Sequence, residues 1–142
     1  MNRFIVNSCI FVLILTGCAN PEKAALPVYE GSGGMTKWNI LPEAYLFHYE
    51  TGFTGIDALG YDEQLQKNWS RLGAAKTCGI PFDKRLIIPK LISQYGENAI
   101  THELNGIGFH SVQSRKVPQF CDSQRVEAIS KSVNRYLKGY FD

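Results

Sequence analysis

The stretch "SQRVEAISKSVNRYLKGY" near the C-terminus does most to limit what this chain can fold into. Val126, Ile129, Val133, Tyr136, Leu137 and Tyr140 recur at spacings of three and four, the period that gathers side chains on one face of an α-helix. Asp122 or Ser123 stands just ahead of them, where a short polar side chain accepts hydrogen bonds from free amides at a helix start. A helix with one apolar stripe and a charged opposite side needs other helices to cover the stripe. The segment "YDEQLQKNWSRLGAAKTCG" supplies one. Leu65, Trp69 and Leu72 share a stripe that Lys76 can extend, Asp57 or Asp62 can cap it, and Gly79 fits a left-handed stop.

The rest of the chain carries weaker signals. "IPFDKRLIIPKLISQYG" offers Asp83 as a cap and Leu86, Ile87, Leu91 and Ile92 as core, with Pro89 expected to kink or split the helix because it removes a backbone donor. "ENAITHELNG" reads as a third short helix that stops at Asn105-Gly106, and "IGFHSVQSRKVPQF" as a loop or short extended segment. In "WNILPEAYLFHYETGFTG" the Pro42-Glu43 start and Gly52 favour a helix, while the alternation of Tyr45, Phe47 and Tyr49 with Leu46 and His48 suits a strand. The helical reading is preferred. The expected fold is mainly α, a small helical bundle, with room for a short strand pair.

The first 20 residues are a separate object. One positive charge at Arg3 precedes the apolar run "FIVNSCIFVLIL", which is too short to span a bilayer stably, and Leu15-Thr16-Gly17-Cys18 follows. This arrangement resembles the signal peptide and lipobox of bacterial lipoproteins. The resemblance implies that residues 1–17 are cut away and that Cys18 receives a diacylglyceryl group on sulfur and an acyl chain, such as palmitate, on its new amine. Several acyl chains make membrane attachment stable where one does not. Ala19 and Asn20 follow Cys18, with no Asp directly after it, so the resemblance implies the outer membrane, facing the periplasm. Residues 18–37, with Pro21, Pro27 and "GSGG", read as the acylated start of a flexible tether, and 38–142 as the domain.

Without Arg3 the 15 basic residues become 14, against 13 acidic ones, a net charge of about +1. That balance gives no electrostatic case for nucleic acid. The hydrophobic share of 44% is enough to build a core. Of four cysteines, Cys9 leaves with the leader and Cys18 becomes the anchor. Cys78 and Cys121 remain in what the resemblance implies is an oxidising compartment, so a structural bridge between them is expected.

"THELNGIGFH" is the stretch most suggestive of chemistry. A helical zinc-protease site needs His-Glu-x-x-His so that both imidazoles face one way. Here the fifth place is Gly106, and His110 lies beyond a Gly-x-Gly break. The stretch therefore reads as a helix end. Cys78, His102, His110 and Cys121 lack the close spacing of a chelating pair, and bridged cysteines hold no zinc. His48 reads as a hydrogen-bonded packing residue. Glu97 with Glu103, and Asp62 with Glu63, read as solvated helix faces. No catalytic residue, metal or cofactor is expected. Trp38, Tyr45, Phe47, Tyr49, Phe53 and Tyr61 crowd into a short segment. They read either as plain core or, for Trp38, Tyr45, Phe47, Tyr49 and Phe53, as a partner-binding face, since aromatic residues concentrate at interface hot spots.

Small helical domains that follow a lipobox, with one disulfide joining an early helix to the last, are found in the pilotin lipoproteins of type II secretion, which this pattern resembles around "CGIPFDK" and Cys121. The resemblance implies a non-catalytic protein that binds another envelope protein. The long aromatic segment before Cys78 departs from it. The alternatives are an immunity or exclusion lipoprotein acting on a toxin or phage, and a cell-wall hydrolase or an inhibitor of one. A basic or acidic cleft would favour an inhibitor, a convergent polar pocket an enzyme, and a flat aromatic groove an adaptor.

Overall fold

The computed structural model describes residues 25–36, 39–58, 62–101 and 106–142. Two strands of two residues each, β1 (Met35–Thr36) and β2 (Asn39–Ile40), pair antiparallel with Met35 opposite Ile40. The helices follow in order: α1 (Pro42–Thr51), α2 (Glu63–Thr77), α3 (Lys84–Tyr95), α4 (Glu97–Ile100), α5 (Ile107–Lys116) and α6 (Ser123–Leu137), with a 3-10 turn at Gly55–Ala58 between α1 and α2. The architecture is the expected one, mainly helical with a short strand pair.

Caps place the helix starts. The Asp62 carboxylate accepts from the Leu65 amide at 2.8 Å, Asp83 from Arg85 at 2.9 Å, and Asp122 from Arg125 at 2.8 Å. The helix α1 begins on Pro42, whose missing N–H is no loss in a first turn, and Gly52 ends it at φ 114°. Helix α2 lies at the centre, packed most extensively against α5 and also against α6; α1 lies on α5, and α3 touches α6. Leu65, Trp69 and Leu72 of α2 meet Ile129, Val133 and Tyr136 of α6 in one core, which Ile87 and Leu91 of α3 also join. Cys78 and Cys121 are joined by a disulfide that ties the end of α2 to the residue before the α6 cap, with Cα atoms 5.5 Å apart.

Several expectations need correction. Residues 107–116 form a helix where a loop or extended segment was expected. The buried side of α5 is His110, Ser111, Gln113 and Ser114, so it shows no apolar stripe. What it fits is the small-residue face of α2. A Cβ on Gly73 would lie 2.5 Å from the His110 Cβ, so the helices meet there backbone to backbone. One turn on, the Thr77 hydroxyl meets Ser114 Oγ at 2.6 Å and donates to the Ser111 carbonyl at 3.1 Å.

The third short helix, α4, ends at Ile100, and Asn105 lies outside the described residues. Gly106, at φ −166°, opens α5 in extended backbone rather than closing a helix. Pro89 does not split α3. Both Pro89 and Arg85, whose carbonyl loses its partner, are exposed, where water can bind that oxygen. Ile87 and Leu91 are fully buried as expected, but Leu86 and Ile92 face outward.

The last part of the expected tether is packed rather than free. Met35 is buried, Leu26 and Tyr29 lie against the core, and the Leu41 amide donates to the Gly34 carbonyl at 2.9 Å. Gly34 sits at φ 72°, where a Cβ would meet Ala44 and Leu41 at 3.1 Å. A glycine-rich stretch that reads as a hinge is here a tight turn against α1.

Candidate functional site

The aromatic segment supplies core before it supplies surface. Tyr45, Tyr49 and Phe53 are at most 3% exposed, whereas Phe47 is 37% exposed; Trp38 lies outside the described residues. The Tyr45 hydroxyl meets His110 Nδ1 at 3.1 Å and donates to the His110 carbonyl at 3.2 Å. Burial, with the Arg71 charge second, pushes the His110 imidazole down to about 3, so it is a neutral strut between α1 and α5. The rings of Tyr45 and Phe53 are buried in the packing of α1 on the bundle and offer no surface to a partner, whereas Tyr49, also of the expected face, lines a groove between α1, α2 and α6.

His48 is likewise structural, as its surroundings in the sequence suggested. Its Nδ1 faces the Gly52 carbonyl at 3.1 Å and its Nε2 the buried Asp57 carboxylate at 3.1 Å. Tyr29 closes the cluster. Its hydroxyl donates to the Gly33 carbonyl at 2.6 Å and lies 3.2 Å from the same Nε2. An acid–base–nucleophile relay needs the acid and the nucleophile on opposite ring nitrogens. Here both meet Nε2, so the cluster clasps residues 29–33 onto α1 and moves no proton along a chain.

The Cys78–Cys121 bridge removes both thiols from metal binding and from nucleophilic chemistry. His102 and Glu103 lie outside the described residues, as does Cys18. Asp62 is the α2 cap, and Glu63 and Glu97 are exposed first-turn residues.

What the fold does assemble is a groove of about 550 Å³ between α1, α2 and α6, lined by Leu46, Tyr49, Lys67, Arg71, Arg125 and Asp142 among others. Two of its arginines lie over aromatic rings. The Arg71 guanidinium carbon lies 3.8 Å from the centre of the Tyr49 ring, and that of Arg125 lies 4.9 Å from the centre of the Phe120 ring. The two rings meet edge to face with centroids 5.0 Å apart. A cation over a ring face is attracted by the ring's quadrupole.

The carboxylates of the groove are already occupied. Arg125 donates from Nε to Glu50 at 2.9 Å and from Nη1 to Asp122 at 2.7 Å. Asp142 accepts from Arg135 at 2.6 Å and from the Tyr136 hydroxyl at 2.7 Å, while its amide donates to Asn68 Oδ1 at 3.0 Å. Burial works to raise the Asp142 carboxyl, but the bonds from Tyr136 and Arg135 outweigh it and hold it below the ordinary range. A carboxylate held as Asp142 is makes a poor proton acceptor near neutral pH. Lys67 and Arg71 differ. Both line the groove from α2, neither is in ion-pair contact with a described carboxylate, and Arg71 Nη1 is shielded from water without a hydrogen-bond partner.

Sequence reasoning named Tyr49 of this site and passed over its charged residues. Lys67 and Arg71 are like charges four apart on one helix, a placement that costs a few tenths of a kcal/mol, and that conflict was the one available signal. Their companions on α1 and α6 are far away in sequence. No protein-family model, no curated protein and no solved structure matches this chain, so the groove's own chemistry is the ground for a functional reading.

Proposed function

We propose that this protein is a non-catalytic lipoprotein of the outer membrane, anchored through Cys18 and facing the periplasm, whose domain holds another envelope protein in the groove between α1, α2 and α6. A role in secretion or assembly, like that of a pilotin, fits such a domain. One observation carries the reading: each of the groove's carboxylates is ion-paired to an arginine of the fold, while Lys67 and Arg71 on one wall have no ion pair to a described carboxylate. A polar pocket built for proton transfer keeps an acid or base free to change its charge. A pocket built for recognition keeps donors free. This groove does the second. The lipobox-like leader and a disulfide suited to an oxidising compartment support the location.

A photoreactive phenylalanine analogue in place of Gln124 or Ala128, both exposed and on the groove's α6 wall, tests this in living cells. Irradiation should yield one adduct of discrete mass from either position and none from Lys131, an exposed α6 residue outside the groove lining. No adduct from either groove position in a folded, membrane-localised protein would overturn the reading.

A further inference from the structure

We propose that Lys67 and Arg71 form a carboxylate-binding subsite in this groove, so that the partner enters with an acidic side chain or a carboxyl terminus. The inference rests on the groove being the binding surface.

The first ground is charge. A guanidinium that is partly withdrawn from water needs an anion or a full set of acceptors. The groups that feel the Arg71 charge across the interior are Tyr45, Tyr49, His110 and Tyr136. His110 is held neutral by burial, and burial raises the three phenols, so none offers a negative charge. On the groove side, Glu50 and Asp122 are spent on Arg125, and Asp142 on Arg135 and Tyr136. Lys67 shifts the Asp142 carboxyl electrostatically without reaching ion-pair contact. Lys67 and Arg71, one helical turn apart, thus line the same opening with no ion pair to a described carboxylate, Arg71 being hydrogen-bonded only to the neutral Tyr49 side chain among these groups.

The second ground is geometry. The Arg71 guanidinium carbon lies over the Tyr49 ring and the side chain hydrogen-bonds Tyr49, two contacts that hold it in place, and a held guanidinium suits a carboxylate through its remaining N–H donors. Leu46 and Ala128 give the opening an apolar rim beside it, which suits the stem of an aspartate, a glutamate or a terminal residue.

The third ground selects among anions. Lys67, Arg71 and Arg125 in the lining are matched by Glu50, Asp122 and Asp142, so the groove as a whole is near neutral. A singly charged carboxylate can sit against the α2 wall without strong repulsion from the opposite one. A doubly charged phosphate is disfavoured by the same three carboxylates.

Three blocked tripeptides serve as probes: one bearing a single glutamate side chain, one with a free carboxyl terminus, and one fully neutral. Inorganic phosphate is the fourth. The readout is the 15N shift of the Arg71 side chain in the full domain. One or both charged peptides should shift it and saturate, and which of them does so identifies the source of the carboxylate. Arg71→Gln and Lys67→Gln should each weaken that binding about tenfold or more, equivalent to about 1.4 kcal/mol. Lys67→Gln, at a half-exposed position, keeps the test valid if Arg71→Gln lowers stability. The inference fails if neither charged peptide shifts Arg71, if the neutral one binds as well, or if phosphate saturates the site at lower concentration. An unchanged photo-adduct from Gln124 in the Arg71→Gln background would also remove the subsite while leaving the groove as the binding surface.

Discussion

Gly73→Ala is a sensitive probe of how α2 and α5 meet. In an isolated helix this substitution stabilises by about 1 kcal/mol, because glycine loses the most backbone freedom on folding. In this protein the new Cβ would stand 2.5 Å from the His110 Cβ, 2.7 Å from the Ser111 amide nitrogen and 2.8 Å from the His110 carbonyl carbon. Two of those three neighbours are backbone, so no side-chain rotation relieves the clash. Overpacking of this kind costs about 1–3 kcal/mol. Pushing α5 away also stretches the two bonds between the Tyr45 hydroxyl and His110, at 3.1 and 3.2 Å, each worth about 1 kcal/mol. The losses outweigh the gain, for a net destabilisation of about 2–4 kcal/mol. In a domain of this size that lowers Tm by about 10–20 °C. Gly108→Ala is the matched control, a glycine of α5 with nothing within 4 Å of its would-be Cβ, and it should hold or raise Tm. Thermal unfolding followed by circular dichroism decides. A Gly73→Ala protein as stable as the wild type would refute the close backbone contact.

Four further outcomes are expected. Cys78→Ala with Cys121→Ala, which opens a loop spanning a separation of 43 residues, should lower unfolding free energy by about 2–4 kcal/mol; a change under about 1 kcal/mol in urea titration contradicts a structural bridge. His110 stays neutral in the folded state down to about pH 3, while in the unfolded chain it takes up a proton near pH 6.5. The unfolded state thus binds more protons between those values, and stability should fall on acidification through that window, with full stability above it. His110→Gln should flatten the slope; an equal slope in both proteins counts against the buried neutral ring. Tyr29→Phe removes the hydroxyl that reaches Gly33, His48 and Asp57, and hydrogen exchange at residues 29–34 should quicken several-fold with the α2 amides unchanged. Cys18→Ser should abolish palmitate labelling and release the protein from membranes, and retained acyl label would rule out Cys18 as the anchor.

The sequence by itself determined the helices that own both a cap and an apolar stripe. In α2 and α6, Asp62 and Asp122 cap, and Leu65, Trp69, Leu72, Ile129, Val133 and Tyr136 are buried. Those signals are local, so one segment states them without help from another. The Cys78–Cys121 pairing was also legible, because the lipobox resemblance, which implies that Cys9 leaves with the leader and Cys18 is acylated, leaves only one pairing. Tertiary structure decided the rest. The helix α5 buries small and polar residues against Gly73 and Thr77, and hydrophobic periodicity cannot register a contact made of missing side chains. Whether Leu86 or Ile87 faces inward was set by where α6 lies, and whether "GSGG" is a hinge or a turn was set by where α1 lies. The groove is the extreme case. It depends on pairs such as Arg125 with Glu50, which are 75 residues apart in the chain. Only the packing of α1, α2 and α6 around one core gathers these charges, pairs the three carboxylates with arginines and leaves Lys67 and Arg71 without an ion pair to a described carboxylate, so the groove exists in the fold and in no segment alone.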